Sequence, residues 1–187
     1  MVEIQSLLHL FNRKSLIFHE EEVREFYYNI QFKDDGSILT RVNNIVVCLD
    51  KGVLSKILRV PREGTRSVLG RTCSSEFAAV ISKTPTTKVA GIYKKIMKSE
   101  YQLVFEFINK VLLPRTEKRT VATSADFFLM EMLCNFEALN LPGLMLEHIN
   151  KIVIERNGVH GMSYGYFLTE GIQEFSNSSQ CGKNGDS

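Results

Sequence analysis

Apolar side chains recur at helical spacing along most of this chain, and the period changes in one short stretch. "VEIQSLLHLF" sets Ile4, Leu7, Leu8 and Phe11 on one side of a short amphipathic helix. "HEEEVREFYYNI" does the same with Val23, Phe26, Tyr27 and Ile30, behind three glutamates placed where the helix dipole favours negative charge. "QFKDDGSILTRVNNIVVCLD" then reads as strand: runs rich in Val and Ile are separated by a DDG and an NN turn signal. A small antiparallel β-hairpin or three-stranded meander is predicted over residues 31–49.

Asp50 is a natural cap for "KGVLSKILRV", which ends before Pro61 because the residue preceding a proline avoids the helical region. Residues 61–75, "PREGTRSVLGRTCSS", read as an extended loop and as the chain's hinge. A helix is expected in "EFAAVISK" from Ser75, and "TPTTK" breaks it. "GIYKKIMKSEYQLVFEFINKVLL" restores a helical pattern before Pro114, with Leu103, Phe107 and Val111 beside Val104, Ile108 and Leu112 in a wide buried stripe. After the polar connection "PRTEKRT", Ser124 is the expected cap of "SADFFLMEMLCNFEAL". In "LPGLMLEHINKIVIERNG", Pro142 belongs to a first turn and Gly158 is the expected left-handed terminator. "GVHGMS" then has the length of an inter-helix link, and Tyr164, Phe167 and Leu168 face a core at i, i+3, i+4 spacing. The pattern gives a mainly α fold: a single-domain, bundle-like helical body with a small β element near 31–49. It divides into an N-terminal helical segment (1–19), the domain proper (20–175) and a disordered tail (176–187).

Composition agrees with one folded domain, since 187 residues with 44% apolar content can bury one sizeable core. Cys48, Cys73, Cys134 and Cys181 stand far apart with no paired spacing, so they read as buried or free thiols in a reducing compartment. No secretion signal or membrane-spanning apolar run is evident, so the expectation is an intracellular protein with no membrane partner, nucleus and cytoplasm both being open.

The net charge of +2 is unevenly distributed. Residues 51–119 carry 15 Lys or Arg against 5 Asp or Glu, a balance of +10, leaving −8 in the flanks. Such asymmetry marks an anionic partner such as nucleic acid, or internal attraction to acidic flanks, or simply solvated faces. The arginines concentrate in two loop regions, Arg59, Arg62, Arg66 and Arg71 in one, and Arg115, Lys118 and Arg119 in the other. These seven are the candidate nucleic-acid contacts, through phosphates. Against them stand the absence of interleaved aromatics and the possibility that they pair with the acidic helix at Glu20–Glu25.

Other chemistry finds no support in residue spacing. "NGVHGMSYGYF" and "GTRSVLGR" lack the strand context and spacing of a phosphate-binding glycine loop. His148 and His160 have no cysteine pair at ligand spacing, and His160 has no nucleophile beside it. Asp34, Asp35, Asp50 and Asp126 fall in a turn, at a cap and near a helix start, not in an acidic triad. No catalytic residue, cofactor, metal or small-molecule ligand is indicated.

The segments "VREFY" (23–27), "ILRVPREG" (57–64), "LLPRTEKRT" (112–120) and "YGYFLT" (164–169) carry a resemblance to the plant transposon protein domain, found in many plant retroelement-derived reading frames. The resemblance extends from about Val23 to Thr169. It implies origin from a mobile element and brings no catalytic residues with it. Past Thr169 the chain departs from the pattern and ends where relatives look longer, which implies a truncated copy. The expectation is therefore a transposon-derived, non-catalytic interaction module that binds nucleic acid or element-encoded proteins through its basic loops. The alternatives are a degenerate nuclease or integrase-like fragment, and a decayed copy with no function.

Overall fold

In a computed structural model the described residues are 10, 17–83, 92–115, 120–155 and 163–181. Among them lie seven α-helices and one three-stranded antiparallel sheet, so the fold is mainly α with a small β element. Helix α1 (Glu20–Tyr28) opens with its three glutamates and buries Val23, Phe26 and Tyr27. Strands β1 (Gln31–Phe32), β2 (Ile38–Val42) and β3 (Ile45–Leu49) pair in sequence order, which makes the element a meander. Asn43 and Asn44 both have positive φ, 51° and 64°. Two such residues form the tight turn whose twist matches that of the strands, so Val42 faces Ile45 across it. The inner face of the sheet buries Ile38, Thr40, Val42, Val47 and Leu49.

Asp50 caps α2 (Lys51–Leu58), its carboxylate accepting from the Val53 amide at 2.8 Å. Helix α2 ends on Arg59 in the left-handed conformation, with Val60 N–H returning to the Ser55 carbonyl at 3.1 Å. Then come α3 (Ser75–Ile81), α4 (Ser99–Phe107), a π-helical turn (Ile108–Leu112), α5 (Ser124–Cys134), α6 (Leu141–Glu155) and α7 (Gly165–Cys181). Helix α7 lies against α1, α2 and β3, α2 also against α6, and the π turn against α5 and α6. One contiguous apolar cluster runs through all of these contacts, from Leu10 to Ile172. Tyr164, Phe167 and Leu168 are buried in it as their spacing predicts.

Several expectations need correction. The helix anticipated across 91–113 starts only at Ser99, and Lys94–Ile96 is a single 3₁₀ turn. Residues 92–98 are held by neighbours instead: Tyr93 bridges Val121, Met97 bridges Ser82, and Lys94 N–H reaches the Thr120 carbonyl at 2.8 Å. Backbone pairing with distant segments outcompetes the local helical preference here. Leu103, placed in the buried stripe, is 71% exposed, whereas Phe105, Ile108 and Leu112 are buried. The cap of α5 is Thr123, whose hydroxyl accepts from the Asp126 amide while the Asp126 carboxylate accepts from the Thr123 amide. The tail was expected to begin at 176, yet α7 continues to Cys181, and the Ser176 hydroxyl bonds back to the Ile172 carbonyl at 2.9 Å. Gly158, His160 and most of the N-terminal segment, including Ile4, Leu7, Leu8 and Phe11, lie outside the described residues.

The loop expected to be the hinge is a fastened strap. Thr65 N–H donates to the Ala138 carbonyl at 2.9 Å, and Asn140 N–H donates to the Thr65 carbonyl at 3.0 Å. Gly64 has φ +102°, and a Cβ there would sit 2.3 Å from the Ala138 carbonyl oxygen, so both conformation and space call for glycine. Further along, the Ser67 hydroxyl donates to Glu147 at 2.9 Å, Val68 is fully buried, and Ser74 N–H donates to Glu131 at 2.9 Å.

Candidate functional site

The strap, with the helix end that leads into it, carries Arg59, Arg62, Arg66 and Arg71, all exposed, across the α5–α6 connection. Arg59 closes α2 at φ 56°. The Arg62 guanidinium lies over the first turn of α2, near Asp50, as the space around Gly52 records. Arg66 rests its Cβ against Gly143 at the start of α6, where a larger residue would push the strap away. Arg71 stacks over the Phe128 ring at 5.3 Å, a cation–π contact. Arg59, Arg62 and Arg66 have no carboxylate partner among the described residues.

The acidic helix is not their counterweight. Glu20 pairs with Arg24 at 2.6 Å, Glu22 with His19 at 3.1 Å, and Glu25 accepts from the Asn43 amide at 3.0 Å. These local partners hold Glu20, Glu22 and Glu25, and none of the three is paired with a strap arginine.

Arg115 is only partly exposed, turns toward the interior and departs from the expected loop cluster. Its guanidinium meets the fully buried carboxylate of Asp126 at 2.6 Å and also binds Asn109. A buried carboxylate stripped of its cation is strongly destabilising, so Arg115 is committed to the fold. Burial pushes the Asp126 carboxyl up from its ordinary value, and Arg115 with the Thr123 hydrogen bonds opposes that shift. Lys118 and Arg119 lie outside the described residues.

The titratable groups considered for chemistry are separated in the same way. Asp35 holds Ser37 in the turn, Asp50 caps α2, and Asp126 completes the capping box that Thr123 opens on α5. His148 is buried, with Nδ1 2.8 Å from the Tyr164 hydroxyl, which donates to the Leu112 carbonyl at 2.7 Å. With the phenol proton spent on Leu112, the phenol oxygen accepts from His148, which selects the Nδ1-protonated tautomer. Among the described residues no group of three or more His, Cys, Asp or Glu is placed to hold a metal ion. Two open clefts flank the strap. One, of about 420 Å³, is lined by Arg115, Ser124, Asp126, His148 and Lys151, and the other, of about 360 Å³, by Asp34, Lys51, Arg66 and Glu147. No helix among the described residues is long and apolar enough to cross a membrane.

Sequence reasoning missed a second cationic face. Lys95 lies over Tyr93, which is 51% exposed, Lys83 bonds to the Lys95 carbonyl, and Lys98 closes the same segment, which pairs with distant backbone where a helix is expected. The signal was "IYKKIMK", an aromatic among lysines, concealed by the helical reading.

No protein-family model matches the chain, and neither a curated protein nor a solved structure matches it.

Proposed function

We propose that the chain is a transposon-derived, non-catalytic interaction module that binds nucleic acid through backbone phosphates, with Arg59, Arg62 and Arg66 as the principal contacts and Arg71 beside them. The observation that carries this reading is that three exposed guanidinium groups, with no ion-pair partner among the described residues, stand on or at the start of a strap already fastened to the domain. Such a mounting lowers the ordering entropy that a loop contact otherwise loses on binding. Arg59 adds to the argument. It holds the left-handed position that closes α2, where glycine is the usual choice, and its side chain is exposed there.

The mobile-element origin rests on the four segments that carry the resemblance. Residues from three of them meet in one buried hydrogen-bonded knot: Tyr27 donates to the Ser163 carbonyl at 2.7 Å, next to Tyr164, which donates to Leu112. On this reading those segments maintain the fold, and "ILRVPREG" supplies the contact surface.

The test is binding of the purified chain to duplex DNA and RNA over a salt series. Each phosphate contact contributes about −0.9 to the slope of log K against log salt on duplex DNA. The triple variant R59A/R62A/R66A should flatten that slope by about 0.9 for each phosphate no longer neutralised. A response indifferent to salt, or a triple variant that binds like the parent, would remove the proposal.

A further inference from the structure

The exposed face around Tyr93 has the composition of a stacking platform. Its backbone is pinned on two sides. Ala122 N–H donates to the Ile92 carbonyl at 3.0 Å and Lys94 N–H to the Thr120 carbonyl at 2.8 Å on one, while Lys83 N–H donates to the Ile96 carbonyl at 2.8 Å and Lys98 N–H to the Ile81 carbonyl at 2.9 Å on the other. Ile92 and Met97 anchor the segment from below, 3% and 0% exposed, while the Tyr93 ring stands outward at 51%. The Lys95 ammonium already sits 5.6 Å from the centre of that ring. The Lys83 ammonium is tied to the same segment by a 3.1 Å hydrogen bond to the Lys95 carbonyl.

Charge is in excess on this face. Lys94 and Lys110 share Glu106, whose carboxyl the Lys94 hydrogen bond, with Lys110 beside it, holds below the ordinary value. Lys83, Lys95 and Lys98 have no carboxylate partner among the described residues. An exposed, rigidly held aromatic ring with one lysine over it and two more on the same pinned backbone suits a chain of alternating flat bases and phosphates, because every base offers a π-face and every linkage a negative charge. A duplex hides its bases in the stack and cannot use the ring.

We propose that Tyr93, Lys83, Lys95 and Lys98 form a second site, distinct from the arginine strap, that binds single-stranded nucleic acid by stacking a base on Tyr93 and holding the flanking phosphates with the lysines. Lys95 leaves the ring face when the base arrives and turns to a phosphate.

The chain contains no tryptophan, so Y93W places a single reporter at the site. Its emission should be quenched on adding oligo(dT) or oligo(U), and duplex of equal length should leave it unchanged. Y93A should weaken single-strand binding by about tenfold or more, with the salt slope kept, and Y93F should restore it. K83A/K95A/K98A should instead reduce the single-strand salt slope, by about 0.7 for each phosphate that the lysines no longer hold. DNA and RNA arms show which sugar is preferred. Unquenched Y93W with bound oligonucleotide, or a folded Y93A that binds single strands as the parent does, overturns the proposal. The strap reading stands or falls separately, since R59A/R62A/R66A should leave Y93W quenching in place.

Discussion

Arg115 reaches Asp126 at 2.6 Å across the turn into α5, and the carboxylate it meets is completely buried. An arginine that reads as a loop contact is therefore the counter-ion of a helix cap. Replacing it by alanine should lower unfolding free energy by about 3–5 kcal/mol, measured by urea denaturation, because the carboxylate is left uncompensated in the interior. Arg62→Ala, on the exposed strap, should change stability by less than about 0.5 kcal/mol.

The same carboxylate gives a pH signature of known sign. Burial raises the Asp126 value above its ordinary 3.8 in the folded state, so the native protein holds this proton more tightly than the unfolded chain. Its contribution is most favourable below 3.8 and is lost as pH rises through the raised folded value. The unfolding free energy of the parent relative to D126N should accordingly decline with increasing pH above that ordinary value. A difference that grows with pH would contradict the assignment.

Arg59 separates stability from binding. Arg59→Gly relieves a left-handed backbone that disfavours side chains by about 1 kcal/mol, so the melting temperature should stay level or rise. Affinity for duplex nucleic acid should fall in the same variant. Loss of both together would mean that the guanidinium serves the fold.

Gly64 controls how the strap is seated. Gly64→Ala drives a methyl group into the Ala138 carbonyl at 2.3 Å with φ at +102°, so it should destabilise by more than about 1 kcal/mol. Hydrogen exchange at the Thr65 and Asn140 amides should accelerate in step, since both bonds depend on that approach.

Tyr164→Phe tests the buried knot. Removing the hydroxyl unpairs the Leu112 carbonyl and deprives His148 Nδ1 of its acceptor, at a cost of about 1–3 kcal/mol in thermal or chemical unfolding. Tyr27→Phe should show a similar loss through the Ser163 carbonyl.

Residue order alone settles whatever depends on near neighbours: the helices seeded by Val23, Phe26 and Tyr27 or by Tyr164, Phe167 and Leu168, the Asn43–Asn44 turn, the Asp50 cap, and the exposed arginines of the strap. Each is fixed within a few residues, by side-chain periodicity, turn geometry or an oxygen meeting an amide one helical turn away. It took the assembled fold to turn Arg115 inward, to tie down the loop at 61–75 and to face Tyr93 outward. Those outcomes hang on partners remote in the chain, Asp126, Ala138 and Val121, which local preference cannot anticipate. A buried charge must find its counter-ion and a buried amide its carbonyl wherever the fold supplies one.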